Sequence, residues 1–257
     1  MFSTQRVADP TRMMSDGQES IPMDVSPVVC VCSDPAEKLA DVLVSEIARQ
    51  EHDFHLAVSG GKTPEALFKL LALKYGDLSL WERVYLYQVD ERCVPPDHEA
   101  SNWRMIHETF LAKVPLIRAF RMEVEREDAP ERYEQLLRQY VPDGGFGVPR
   151  LDCVLLGMGA DGHTASLFPG AAACQENIRL VLRTDSPDRG IPRVTMTFPV
   201  LENAAKRRFL VVGQDKADTL QRVFNGESFP VQRLAKISEW YVDLAASRLL
   251  PRQQGIS

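Results

Sequence analysis

Along most of this chain, apolar runs of strand length alternate with segments whose apolar residues recur at helical spacing. Pro27 to Cys32 (PVVCVC) reads as a buried strand. Asp34 to Gln50 follows as a helix, with Ala36, Leu39, Ala40, Leu43 and Ile47 on one face. Phe54 to Val58 is the next strand. A helix then opens at Thr63-Pro64, with Leu67, Leu70 and Leu71 inward; a proline suits a first turn because its missing N–H has no intrahelical partner there. Val84 to Val89 predicts a strand, Asn102 to Phe110 a helix, the stretch near Phe120 a short strand, and Asp128 to Tyr140 a charged surface helix. The most apolar strand is Leu151 to Leu156 (LDCVLL). Arg193 to Thr197 and Arg207 to Val212 are further strands, and Lys216 to Phe224 is a helix.

Strands alternating with helices in this order predict an α/β fold: a mostly parallel sheet with helices on both faces. No internal repeat, low-complexity tract or interdomain linker interrupts the pattern. The expectation is one α/β domain over residues 25–250, preceded by a disordered tail over residues 1–24.

Composition narrows the partners. The chain has 257 residues, 44% hydrophobic and 26% charged, enough to bury a core without metal or disulfide staples. A formal net charge of −6 argues against nucleic acid. It leaves room for a small phosphorylated substrate, which needs only local cations. The five cysteines, Cys30, Cys32, Cys93, Cys153 and Cys174, have neither even count nor Cys-x-x-Cys spacing. Reduced thiols in a cytoplasmic protein are the simplest account, with Cys30 and Cys32 on one strand face in the core and Cys93 incidental. The first residues contain no apolar signal segment, and no apolar run reaches the roughly 18 residues of a membrane span. Metals and cofactors are not expected; oligomeric state is not readable.

The chemistry gathers in four turns, each after a predicted strand, where open parallel sheets build their sites. In Ser59-Gly60-Gly61-Lys62-Thr63-Pro64 the glycines allow close backbone approach, and the following helix N-terminus offers free N–H groups to an anion. A tight turn with a helix cap accounts for the same residues. Asp90-Glu91-Arg92 places a charged triplet at the sheet edge: Arg92 can fork onto phosphate or an oxyanion, and Asp90 can orient sugar hydroxyls or water. A solvated loop is the plainer account. Asn102 fits a helix cap and a substrate contact equally. The sharpest segment is Gly157 to Gly170 (GMGADGHTASLFPG), whose glycines surround Asp161 and His163. An imidazole can take a proton from water, and a carboxylate two residues away can select its tautomer. Phe168 reads as packing. Gly213-Gln214-Asp215-Lys216 puts Lys216 near a helix start, where it can meet phosphate; Arg193 is a second such cation.

Together these motifs resemble the 6-phosphogluconolactonase family, within the wider group that includes glucosamine-6-phosphate deaminases. The carrying residues are SGGKTP (59–64), VDER (89–92), SN (101–102), GMGADGHTASLFPG (157–170), RVTMT (193–197) and GQDK (213–216), in order over roughly Pro27 to Leu244. The resemblance implies a modified Rossmann-like fold, cofactor-free hydrolysis of a phosphorylated lactone, and a place in the oxidative pentose phosphate pathway. It implies His163 as general base, with Asp161 and Asp90 beside it in the catalytic set. It implies Gly60, Gly61, Lys62, Thr63, Arg92, Arg193 and Lys216 as substrate and phosphate contacts. The alternatives are an aminosugar-phosphate deaminase or isomerase, and a non-catalytic sugar-phosphate sensor. The deaminases carry DEY in place of Asp90-Glu91-Arg92 and GHIAFNEPG in place of Gly162 to Gly170. Their acid there aligns with Phe168, which cannot transfer protons, and this favours the hydrolase.

Overall fold

The computed structural model describes residues 27–187 and 190–251; the tail expected over residues 1–24 lies outside the described residues. In chain order the elements are β1 (Val28–Val31), α1 (Pro35–Arg49), β2 (Phe54–Val58), α2 (Lys62–Tyr75), β3 (Val84–Gln88), β4 (Asp90–Arg92), α3 (Asn102–Thr109) and β5 (Arg118–Phe120). Then come α4 (Ala129–Tyr140), β6 (Cys153–Leu156), β7 (Val181–Thr184), β8 (Arg193–Met196), α5 (Phe198–Asn203), β9 (Lys206–Val211), α6 (Ala217–Phe224), α7 (Gln232–Ala235) and β10 (Glu239–Val242). Seven strands form a parallel sheet in the order β1-β10-β9-β6-β2-β3-β5, and β4-β8-β7 form a small antiparallel sheet.

Strand alternation divides the core between the two faces of the large sheet. Leu56, Leu86 and Leu155 face one way, against Leu39, Leu43 and Ile47 of α1, Leu67, Phe68 and Leu71 of α2, and Ile106 of α3. Ala57, Tyr87, Val154, Phe209 and Trp240 face the other, against Tyr133 and Leu137 of α4, Leu220 and Val223 of α6, and the small sheet's Val194 and Met196. Caps fix where helices begin: Asp34 accepts from Glu37 N at 2.9 Å, and Ser101 accepts from Arg104 N at 3.2 Å. Among the described residues no helix is long and apolar enough to cross a membrane.

Three sequence expectations change. Pro27 to Cys32 is not a buried strand: among the described residues β1 pairs with β10 alone, and Val28 is 64% and Val31 45% exposed. Cys30 and Cys32 are accordingly half-buried rather than core. An apolar run cannot distinguish an edge from a centre. Second, Asp90-Glu91-Arg92 is not a turn. The chain kinks at Val89 and continues as β4 in the other sheet, where β8 pairs with it. Third, Arg193 to Thr197 therefore belongs to that antiparallel sheet and not to the parallel series.

Beneath the site, His55 is buried in β2 with its ring hydrogen-bonded to the Tyr87 hydroxyl at 3.0 Å. Burial lowers its pKa, against the opposing pull of Asp152. An unfolded histidine titrates at about 6.5. Below that pH the unfolded chain takes up a proton that the folded chain resists, so this contribution to stability is full above it and declines as pH falls. His55→Gln is expected to flatten the fall in urea midpoint between pH 7 and pH 5. Equal slopes in both proteins would remove His55 from the acid response.

Candidate active site

Four strand ends converge on one cleft of about 500 Å³. After β2, Ser59 N donates to Leu155 O at 3.0 Å, which ties this turn to β6. Gly61, at φ 114°, is the residue before α2, a backbone state that an L side chain resists. Gly60 must be bare for another reason: a Cβ there would overlap Asn102 Oδ1. Gly60 to Pro64 thus bring a helix N-terminus to the cleft wall.

On β4 the two-residue repeat sends Asp90 and Arg92 to one face and Glu91 to the other. Asp90 Oδ2 accepts from Ser166 Oγ at 2.7 Å, and Ser166 N donates to Thr195 Oγ1 at 3.2 Å. These bonds join the small sheet to the glycine-rich loop. Arg92 stands directly opposite Arg193 in the β4–β8 register. Arg92 Nη1 donates to Ala100 O at 2.9 Å and Arg193 Nε donates to Ile191 O at 3.1 Å. Like charges facing each other across a ladder are destabilising unless something offsets them.

The loop after β6 holds its histidine from several sides. Gly159 N donates to His163 O at 2.9 Å, and Thr164 Oγ1 donates to Gly157 O at 2.9 Å. Gly162, at φ 78°, packs so closely on Phe229 that a Cβ would overlap the ring. Ala165 has a positive φ of 53°, a strained state for a side chain, in the stretch between His163 and Ser166. His163 Nδ1 lies 2.6 Å from Asp161 Oδ1, whose carboxylate also accepts from His163 N at 3.2 Å. Partial burial raises the Asp161 pKa, but the neighbouring imidazole and these hydrogen bonds outweigh it and hold the carboxyl below its ordinary value. A carboxylate only accepts, so Nδ1 is the donor of this pair, and in a neutral imidazole that leaves Nε2 as the acceptor. Phe168 packs on the imidazole, ring centres 4.7 Å apart.

The last turn follows β9. Gly213, at φ 105°, leads into a single 3₁₀ turn over Gln214–Lys216, so Lys216 precedes α6 rather than lying in it. Its Nζ pairs with Asp215 Oδ2 at 3.1 Å.

Gly60, Gly61, Lys62, Thr63, Asp90, Arg92, His163, Arg193 and Lys216 all line the one cleft; Asp161 stands behind His163. Asn102 also lines it. Ser101 is the cap of α3, while Asn102 Nδ2 donates to Asp90 O at 2.9 Å. Sequence reading missed Ser166, whose signal is its place three residues after the histidine, and Thr195, which no motif marks. It also left Glu91 without a role.

Comparison with known proteins bears on the family and the fold. The family described as "Glucosamine-6-phosphate isomerases/6-phosphogluconolactonase" matches residues 31–242. A rice (Oryza sativa subsp. indica) protein named probable 6-phosphogluconolactonase 3, chloroplastic, is 35% identical over 84% of this chain and 74% of its own length. The Haemophilus influenzae 6-phosphogluconolactonase is 33% identical over 84% of this chain and 97% of its own. A crystal structure of 6-phosphogluconolactonase from Leishmania guyanensis superposes with TM-score 0.79 at 26% identity, over 88% of this chain and 99% of the other. The neighbours share the Rossmann-like parallel sheet. With most of its length matched by the family and by relatives above 30% identity, this chain belongs to the glucosamine-6-phosphate isomerase/6-phosphogluconolactonase family.

Proposed function

We propose that this protein hydrolyses 6-phospho-D-glucono-1,5-lactone to 6-phospho-D-gluconate, the lactone-opening step of the oxidative pentose phosphate pathway. One observation carries the reading: His163, paired with Asp161 behind it, lines the same cleft as two arginines opposed across a strand ladder. A phosphate dianion between Arg92 and Arg193 would turn a like-charge cost into charge-assisted hydrogen bonds. Gly60 to Thr63 and Lys216 supply further donors from the facing turns, and Lys62 adds a cation.

With the phosphate anchored, the lactone carbonyl is held near His163, and fixed geometry replaces a bimolecular encounter. His163 Nε2 takes a proton from water as its oxygen bonds to C1. The carbonyl electrons move onto oxygen, stabilised by a cation or by backbone N–H groups of the glycine loop. The oxyanion then collapses, the C1–ring oxygen bond breaks, and the imidazolium returns its proton to the ring oxygen as the C5 hydroxyl. The new acid loses its proton to solvent. Asp161 holds the imidazole in the right tautomer, and Asp90, through Ser166, sets the loop and orients a sugar hydroxyl or the water. Every step uses groups of this chain.

The test is hydrolysis of freshly made 6-phosphogluconolactone, followed above its spontaneous background. Turnover in the usual range, about 1–10³ s⁻¹, is expected. A rate equal to background, or ammonia release from glucosamine 6-phosphate, would overturn the assignment.

A further inference from the structure

Glu91 is only 2% exposed, does not line the cleft, and has no cation as partner among its hydrogen bonds, yet it is among the most fully bonded side chains near the site. Its Oε1 accepts from Arg92 N at 2.7 Å and Asn102 N at 2.8 Å. Its Oε2 accepts from Gln88 Nε2 at 2.8 Å, Ser101 Oγ at 3.1 Å and Trp103 N at 2.7 Å. One carboxylate therefore clamps β4 to the first turn of α3.

The two residues on Oε1 are those that put unfinished polar groups into the cleft wall. Arg92 Nε and Asn102 Oδ1 are both buried without a hydrogen-bond partner. The Asn102 amide cannot turn to hide its oxygen, because Nδ2 is engaged by the Asp90 carbonyl. We infer that Glu91 is the positioning residue of this site: it holds Arg92 and Asn102 where substrate needs them, acting through their backbone N–H groups. Capping alone does not account for it, since the same Oε1 that meets Asn102 N also accepts from Arg92 N on β4, outside α3. The inference rests on the proposed reading of the cleft as a phosphoester site.

A neutral isostere cannot take over. If Glu91→Gln turns its NH₂ toward the Oε1 side, that group meets the N–H donors of Arg92 and Asn102. Turned the other way, it meets Trp103 N and Gln88 Nε2. Gln88 cannot flip in response, because its Oε1 accepts from Met122 N at 2.7 Å. Each choice opposes donors to donors, and the wall must shift.

In the full-length protein, Glu91→Gln is expected to raise KM for the lactone about tenfold while kcat stays within about threefold, the scale of one charge-assisted hydrogen bond lost in binding. Affinity for inorganic phosphate, measured by calorimetry, should fall by the same factor. Leu39→Ala, in the core of α1 and away from the cleft, should lower the melting temperature but leave KM and phosphate affinity at wild-type values. Should Glu91→Gln not fold, Glu91→Asp, too short to reach both sets of donors, is read the same way. Wild-type KM and phosphate affinity in the Glu91 variant would overturn the inference, as would the same losses in Leu39→Ala. If the wild-type protein lacks lactonase activity, the proposed function fails on its own, and phosphate affinity alone decides the role of Glu91.

Discussion

Replacing His163 with Asn is expected to lower kcat for lactone hydrolysis by about 10² to 10⁴, the usual range of general-base assistance. Asparagine has similar bulk and can still meet Asp161, but its side chain has no nitrogen able to take a proton from water. KM should stay within about threefold, because the proposed phosphate contacts lie elsewhere in the cleft wall. The measurement is steady-state kinetics with the spontaneous reaction subtracted, alongside circular dichroism to verify the fold. Wild-type turnover in the variant would remove the base from His163 and shift attention to Asp90, a carboxylate in the cleft wall that accepts from Ser166 Oγ at 2.7 Å.

Gly159→Ala should have an effect of comparable size without replacing any of the proposed reacting groups. The new methyl would overlap His163 Nδ1 and stand 2.5 Å from Asp161 Oδ1, so it occupies the space in which the two side chains meet. Neither can retreat easily: His163 is backed by Phe168, and the Asp161 carboxylate is held by the His163 backbone N–H. The imidazole must swing away, and a displacement of about 1 Å at a reacting group can cost 10²-fold. A fall in kcat of at least about 10², with a melting temperature near wild type, is the expected result. Undiminished kcat would mean that the 2.6 Å pair is dispensable for the reaction.

Three of the chemical segments were legible as turns because their signals are local. Glycine, proline and polar residues cluster directly after apolar runs at Ser59, Gly157 and Gly213, and the sheet then aligns those strand ends without further instruction. Pairings between distant segments were not legible. Nothing in Asp90-Glu91-Arg92 announces Arg193 to Met196 as its ladder partner, so the opposition of Arg92 to Arg193 emerges only in the fold. The triplet also does not say which of its two acids turns inward to cap a helix and which faces the cleft; strand alternation decides that. β10 was overlooked because Glu-Trp-Tyr-Val is short and opens on a charge, although that charge is paired with buried Arg208 at 2.8 Å. β7 escaped for a similar reason, with Arg183 in a four-residue strand.

The position of β10 has a consequence for biosynthesis. It lies between β1 and β9, so, among the described residues, the first strand finds its ladder partner in the last. On the ribosome, β1 emerges well before β10 and, among the described residues, has no ladder partner until Glu239–Val242 has been made. Its valines and the open flank of β9 stay exposed to other nascent chains for that interval, and a pairing with such long sequence separation closes slowly. Completion of the large sheet thus waits for β10, and a message cut short before Glu239 yields a protein with two unsatisfied flanks.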